Sequence, residues 1–234
     1  TYSIRRLVNQ PLRGNIFDRN GKVLATNDFA FDLMVIPSET QVMDTVALAT
    51  LTEVPLEEMR KAWAKVIKNI EKKRRYKRQP QPLIRDLSQK SIAAFQEKMF
   101  RFPGLYVEKR SVRRYPEHFA AHALGYAREA DASVLESDSY YQPGDYVGVA
   151  GIERAYESQL RGIKGVRKVY VDVRNNEKGS YMDGVYDTLP VPGSDLTTTL
   201  DIELQKYGEQ LMQGKRGAIV AIEPATGEIL VLVS

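Results

Sequence analysis

Two histidines, His118 and His122, stand four residues apart, the spacing that lays two imidazoles on one helix face and that zinc helices use to hold a metal. Completing such a site takes a third ligand, which no spacing in the chain supplies. The intervening Phe119, Ala120 and Ala121 also lack the carboxylate of a general base. The pair reads as surface or packing histidines, so no metal is expected. A serine nucleophile needs its base one helical turn away, as Ser-x-x-Lys, and no serine here is followed by lysine at that offset. Lys-Thr-Gly and Ser-x-Asn are absent as well. No catalytic residue is therefore assigned, and the chain is not expected to be an enzyme in itself. Gly144, Gly148, Gly151, Gly162 and Gly165 match neither Gly-x-Gly-x-x-Gly nor the lysine-bearing phosphate loop, which leaves close backbone packing and helix stops as their work, and no cofactor. With no cysteine, disulfides and thiolate ligands are excluded.

Charge is concentrated in one place. The net charge is +4, yet residues 68–78 (KNIEKKRRYKR) hold seven basic residues against one acid, so the remainder of the chain is at −2. A cationic segment carrying Tyr76 could bind phosphates; it could equally be a solvated loop between two helices, or a face for an acidic protein or lipid surface. No nucleic-acid-binding fold surrounds it, and no nucleic acid is expected. A second charged cluster, Arg13, Asp18 and Arg19, flanks Ile16 and Phe17. Charges beside apolar side chains are not buried unpaired, so at least one Arg–carboxylate pair is expected there, in a structural role.

The elements that would position these residues follow from periodicity and turn chemistry. Asn20-Gly21 between Ile16/Phe17 and Val23/Leu24 is a hairpin signal, and Phe31, Leu33 and Val35 alternate as a third strand ending at Pro37. Residues 38–70 read as helical, with Pro55, Glu57 and Glu58 at a helix start and Leu56, Met59, Trp63, Val66, Ile67 and Ile70 on one face. Ser88 caps a helix whose buried side is Ile92, Phe95, Met99 and Phe100, stopped by Pro103-Gly104. Residues 106–115 are extended, 116–124 and 151–160 are short helices ended by Gly125 and Gly162, and Val169, Val171 and Val173 form a half-exposed strand before a turn at 175–179. Leu196 begins a short strand, Asp201 caps a helix running to Met212, and 217–234 is a hairpin turning at 223–227. Its apolar face, with Ile219, Ala221, Ile229, Val231 and Val233, is not expected to stand alone in water, so the chain is expected to be the front of a longer protein.

These readings assemble into an α+β chain. A small mixed-strand anchor is expected from 1–37 with 104–190, a mainly helical head inserted at 38–103, a linker and exit helix at 191–215, and the first hairpin of a truncated further domain at 216–234.

Several blocks carry a family likeness. Residues 13–25 (RGNIFDRNGKVLA), holding Arg13, Gly14, Asp18, Arg19 and Gly21, resemble the opening of the periplasmic part of class B penicillin-binding proteins. Residues 113–126 (RRYPEHFAAHALGY), with Arg114, Tyr115, His122 and Gly125, resemble the family's Arg-x-Tyr-Pro and Ala-His-x-Leu-Gly-Tyr block. Residues 148–162 (GVAGIERAYESQLRG), with Gly151 and Glu153, are similar to its Gly-Ile-Glu block, and 196–210 resemble the lead into the transpeptidase domain. The likeness implies the non-catalytic pedestal, once called a dimerisation domain, of an elongation-type enzyme, with the division-specific relative as the near alternative. It also implies a parent anchored at the outer, periplasmic face of the bacterial inner membrane by a preceding helix. Its partners would be a RodA-type glycosyltransferase and an MreC-type scaffold, and it could form a homodimer. The scaffold contact is placed on the helical head, at Trp63, Ile67, Ile92 and Phe95, which would offer a groove to a partner strand or helix. The alternative is that those faces simply pack on each other.

Overall fold

The computed structural model describes residues 3–40, 43–72, 74–142, 144–171 and 177–234. In chain order the strands are β1 (Ser3–Asn9), β2 (Ile16–Phe17), β3 (Val23–Val35), β4 (Gln81–Ile84), β5 (Leu105–Arg114), β6 (Ala127–Glu129), β7 (Tyr146–Gly148), β8 (Gly165–Val171), β9 (Glu177–Ser180), β10 (Leu196–Thr197), β11 (Ile219–Ile222) and β12 (Ile229–Val233). The helices are α1 (Thr45–Thr52), α2 (Leu56–Lys72), α3 (Gln89–Lys98), α4 (Ala121–Leu124), α5 (Ala132–Ser137), α6 (Gly151–Ala155), α7 (Glu157–Leu160) and α8 (Ile202–Met212). The mixed α+β class read from the sequence holds. Two compact units form: Thr1–Asn27 with Arg113–Ser234, and Asp28–Val112.

The second unit has three helices packed on strands in which β3 pairs β4 antiparallel and also pairs β5. Asp44 caps α1 by accepting from Ala47 N, and the helix stops at Glu53, whose φ of 57° is left-handed. That residue and Pro55, which has no N–H to donate, split the helix expected over 38–70 into α1 and α2; residues 41 and 42 lie outside the described set. Ser88 caps α3 as expected, its hydroxyl accepting from Ser91 N at 3.1 Å. The core gathers Leu33, Val35, Leu48, Met59, Val66, Ile92, Phe95, Phe102 and Leu105. Residues 28–35 and 105–112 thus close the helical unit's core, where the sequence reading had counted them with the anchor.

Met99 and Phe100 do not share the buried face expected of them, being 43% and 83% exposed. The α-helix ends at Lys98, and Met99–Arg101 is a 3-10 turn, whose angular step carries these side chains off the stripe set by Ile92 and Phe95. Phe102 takes the inward position instead, its ring centroid 6.0 Å from that of Phe95.

In the first unit β1 and β8 pair antiparallel along seven residues, with β9 on the far side of β8. The β2–β3 hairpin turns at Asn20-Gly21 with Gly21 at φ 82°, and β10 joins β2 in parallel. Ile16, Leu24, Ala25, Ala120, Leu124, Leu160, Leu200 and Ile202 form its core. Only residues 121–124 of the helix expected over 116–124 form, because Ala120 sits at φ 58° and breaks any earlier turn. The helix expected over 151–160 divides into α6 and α7 at Tyr156. Val173 and Asn175 lie outside the described residues.

At the end of the chain, Asp201 caps α8 by accepting from the backbone N–H groups of Glu203 and Leu204, and the helix packs on the β11–β12 hairpin. Buried Gln205 clasps β12 from both sides of its amide: Nε2 donates to Leu232 O and Oε1 accepts from Leu232 N, each at 2.8 Å. Val231 and Val233 face inward, but an irregularity between Ala221 and Ile222 shifts the register, so Ile229 is exposed.

Candidate functional site

Four charged groups of the first unit converge on one buried network. Arg13 lies in the segment before β2, Arg113 near the end of β5, Glu153 in α6 and Glu157 in α7. The two glutamates are four residues apart and face the same way. Arg13 Nε donates to Glu153 Oε2 at 2.7 Å, its Nη1 and Nη2 donate to Glu157 at 3.0 and 2.6 Å, and Nη2 also reaches Glu153 O at 3.0 Å. Arg113 Nε donates to the other oxygen of Glu153 at 2.7 Å, and its Nη1 to Gly14 O at 2.8 Å. Glu153 is wholly buried, Arg113 nearly so, and two cations against two anions leave no net charge inside.

Hydroxyls extend the shell, while Arg113 Nη2 is left buried without a hydrogen-bond partner among the described residues. Tyr115 donates to Glu153 Oε1 at 3.2 Å and accepts from Ala127 N at 2.9 Å; Tyr141 donates to Glu157 Oε1 at 2.7 Å. Burial, reinforced by the charge of Glu153, pushes the Tyr115 phenol up to about 12, and burial with the Glu157 hydrogen bond does the same to Tyr141. Burial would raise Glu157, but the Arg13 hydrogen bond and charge prevail and hold it below its ordinary value. Arg13 and Glu157 are thereby held in their charged forms and both phenols in their neutral forms. The arrangement is a clamp joining α6 and α7 to the segment before β2 and to the end of β5.

Asp18 forms a separate hub. Wholly buried, it pairs with no arginine among the described residues; its Oδ1 accepts from Asn20 N and Lys22 N at 2.8 and 2.7 Å, and its Oδ2 from Ile202 N at 3.3 Å. One carboxylate thus fixes the hairpin turn and receives the first turn of α8. Arg19 pairs elsewhere, with Glu223 at 3.2 Å and Glu228 at 3.8 Å. The Arg–carboxylate pairing expected of this cluster therefore forms, through Arg13 and Arg19, with partners remote in sequence.

Gly125 and Gly151 bring two of the sequence blocks together. Both have positive φ (71° and 58°), and a Cβ on Gly125 would stand 1.9 Å from Ala150 O. Gly14 is equally tight, a Cβ there falling 2.0 Å from Ser194 O. These glycines permit backbone-on-backbone contact.

Of the residues singled out in the sequence, Arg13, Tyr115 and Glu153 meet in the network, with Gly14 at its edge through its carbonyl. Arg114 and His122 are exposed. His118 precedes α4, so the two histidines do not share a helix, and among the described residues no cluster suited to a metal occurs. Arg113, Glu157 and Tyr141 were not singled out. The signal for Arg113 was its place two residues before Tyr115 on a strand, which puts both on one face. In the second unit Ile92 and Phe95 are inside the core, Trp63 packs against it, and Ile67 is 39% exposed. The faces of α2 and α3 pack inward here, and of these four residues Ile67 alone is exposed.

The clamp ties the side chains of Arg13, Arg113, Glu153 and Glu157 to one another and to the carbonyls of Gly14 and Glu153. Residues 8–198 match the family described as Penicillin-binding Protein dimerisation domain, and the chain belongs to that family. It is 34% identical over 229 residues to the peptidoglycan D,D-transpeptidase MrdA of Acinetobacter baumannii, covering 96% of this chain and 33% of that protein. It is 32% identical to MrdA of Escherichia coli, over 96% of this chain and 35% of that protein. Penicillin-binding protein 3 of Bacillus subtilis is 31% identical over 96% of the chain and 32% of its own length. The chain thus spans about a third of the curated relatives it matches. Among solved structures, the complex between a penicillin-binding protein, PBP2, and MreC from Helicobacter pylori matches with a TM-score of 0.72 and 25% identity, over 100% of this chain and 43% of that one. The resemblance to penicillin-binding proteins read from the sequence is borne out.

Proposed function

We propose that this chain is the non-catalytic pedestal of a peptidoglycan D,D-transpeptidase, which carries the catalytic domain at the outer face of the inner membrane and docks elongation partners, an MreC-type scaffold and a RodA-type glycosyltransferase. The observation that carries the reading is the likeness, across the whole of this chain, to the penicillin-binding protein of the Helicobacter pylori complex with MreC. The clamp of Arg13, Glu153, Glu157 and Arg113 supports it, since a pedestal must transmit position and this network stiffens the unit that would do so.

The second unit is where the scaffold docks in this reading, and its exposed apolar side chains Ile67, Met99 and Phe100 supply the contact. Phe95→Asp is unsuitable as a test because it would empty the unit's own core. The experiment is a binding titration of this chain against the MreC-type scaffold of the same organism, with Ile67→Asp and Phe100→Asp compared at unchanged thermal midpoint. Saturable binding that both substitutions weaken about tenfold, or 1.4 kcal/mol, is expected. Absence of binding by the unaltered chain, or covalent labelling of this chain by a fluorescent penicillin, would overturn the reading.

A further inference from the structure

The basic run of residues 68–78 has no place in the pedestal reading, and the structure gives its part from Arg74 to Arg78 a definite shape. Residues Arg74–Arg78 form a 3-10 turn after α2. Three bonds pin it: buried Gln81 donates from Nε2 to Tyr76 O at 3.0 Å, Asn69 Nδ2 donates to Gln81 Oε1 at 3.1 Å, and Ser38 N donates to Lys77 O at 2.8 Å. The turn faces an open cleft of about 630 Å³ lined by Ser38, Arg74, Lys77 and Arg78. Among the described residues no carboxylate lines the cleft. Among the described residues no ion pair or side-chain hydrogen bond engages these three cations, whereas Arg110 and Lys90 of the same unit each hold a carboxylate.

We infer that this cleft is a binding site for phosphate-class oxyanions. Like charges held together on a braced turn repel one another and cost stability until an anion neutralises them. Two guanidinium groups offer planar forks of N–H donors suited to tetrahedral oxyanions, and the lysine ammonium and the Ser38 hydroxyl add further donors. A turn already fixed by Gln81 loses little freedom when the anion arrives. The cleft lies within the size range of small-molecule sites, with room for more than one phosphate group.

The test is calorimetric titration of the full chain with inorganic pyrophosphate, alongside sodium chloride at matched ionic strength. Saturable binding is expected, weakened about tenfold by each of Arg74→Gln, Lys77→Gln and Arg78→Gln. All three are surface changes that leave the thermal midpoint of the free protein unchanged or higher. The control is Lys61→Gln/Lys65→Gln/Lys68→Gln, on exposed positions of α2, which removes three charges against one in each cleft variant and should still leave pyrophosphate affinity within about twofold. Equal weakening by that control, or a chloride effect as large as that of pyrophosphate, would show diffuse electrostatics only and sink the assignment. Duplex DNA that binds without competition from pyrophosphate would do so too. Vesicles of phosphatidylglycerol that capture the chain and release it to pyrophosphate would identify the anion as a lipid headgroup. Pyrophosphate binding without vesicle capture would identify a soluble phosphate ester.

Discussion

Arg13 and Glu153 lie 140 positions apart in the chain and 2.7 Å apart in the fold. Glu153 divides its two oxygens between Arg13 and Arg113, so each arginine depends on the same buried carboxylate. Breaking a buried pair strands a charge, which costs far more than losing a surface contact. Glu153→Gln should therefore destabilise the chain by about 3–5 kcal/mol. Arg114→Ala, one residue along the strand and exposed, should change stability by no more than about 1 kcal/mol. Urea unfolding of both variants checks the contrast; equal effects would mean that the network contributes no more than the surface does.

What the sequence made legible was local. Asn20-Gly21, Ser88 and Asp201 each act within a few residues, through a left-handed glycine or a side-chain cap, and each does what its type implies. The clamp joins positions 13, 113, 153 and 157, and no short-range rule connects them. The adjacent arginines at 113 and 114 show the limit: strand alternation sends them to opposite faces, and only knowledge of where Tyr115 is buried says which one goes inward. The exposure of Phe100 was hidden for a related reason, since the change from α-helix to 3-10 turn after Lys98 leaves the apolar spacing intact while rotating the face.

Gly125 and Gly151 make a second contrast, with Gly21. Gly125→Ala meets the carbonyl of Ala150 at 1.9 Å in a left-handed backbone, whereas a Cβ on Gly21, at φ 82°, meets nothing within 4 Å. Gly21→Ala should cost about 1 kcal/mol, the conformational term alone. Gly125→Ala adds displacement of packed backbone and should cost at least about 3 kcal/mol. Thermal midpoints measured side by side decide this, and similar losses at the two sites would show that α4 moves aside freely.

Asp18 ties the hairpin to α8 through three backbone N–H groups. Asp18→Ala leaves these donors buried or strained and should cost about 2–3 kcal/mol. Because one of them is Ile202 N, amide exchange should quicken at the start of α8 as well as in the turn at residues 20–22. Faster exchange confined to the turn would show that the carboxylate serves the hairpin alone.

Stability should fall at both ends of the pH scale, for identifiable reasons. Glu157 is held below its ordinary value of 4.5, so the stability it lends is complete above that value and disappears as pH falls through its lower folded one. Tyr115 and Tyr141 are raised from 10.0 to about 12. Their contribution is complete below 10 and is lost between 10 and 12, because the unfolded chain ionises first. Tyr141→Phe should remove its share of the alkaline loss and leave that of Tyr115. It should also weaken the protein at neutral pH by about 1 kcal/mol, through the missing hydrogen bond to Glu157. Urea midpoints followed across the alkaline range, together with phenolate absorbance, test this directly. An unchanged alkaline slope in Tyr141→Phe would mean that Tyr141 ionises in the folded protein like any exposed tyrosine, and that the Glu157 end of the clamp is open to solvent.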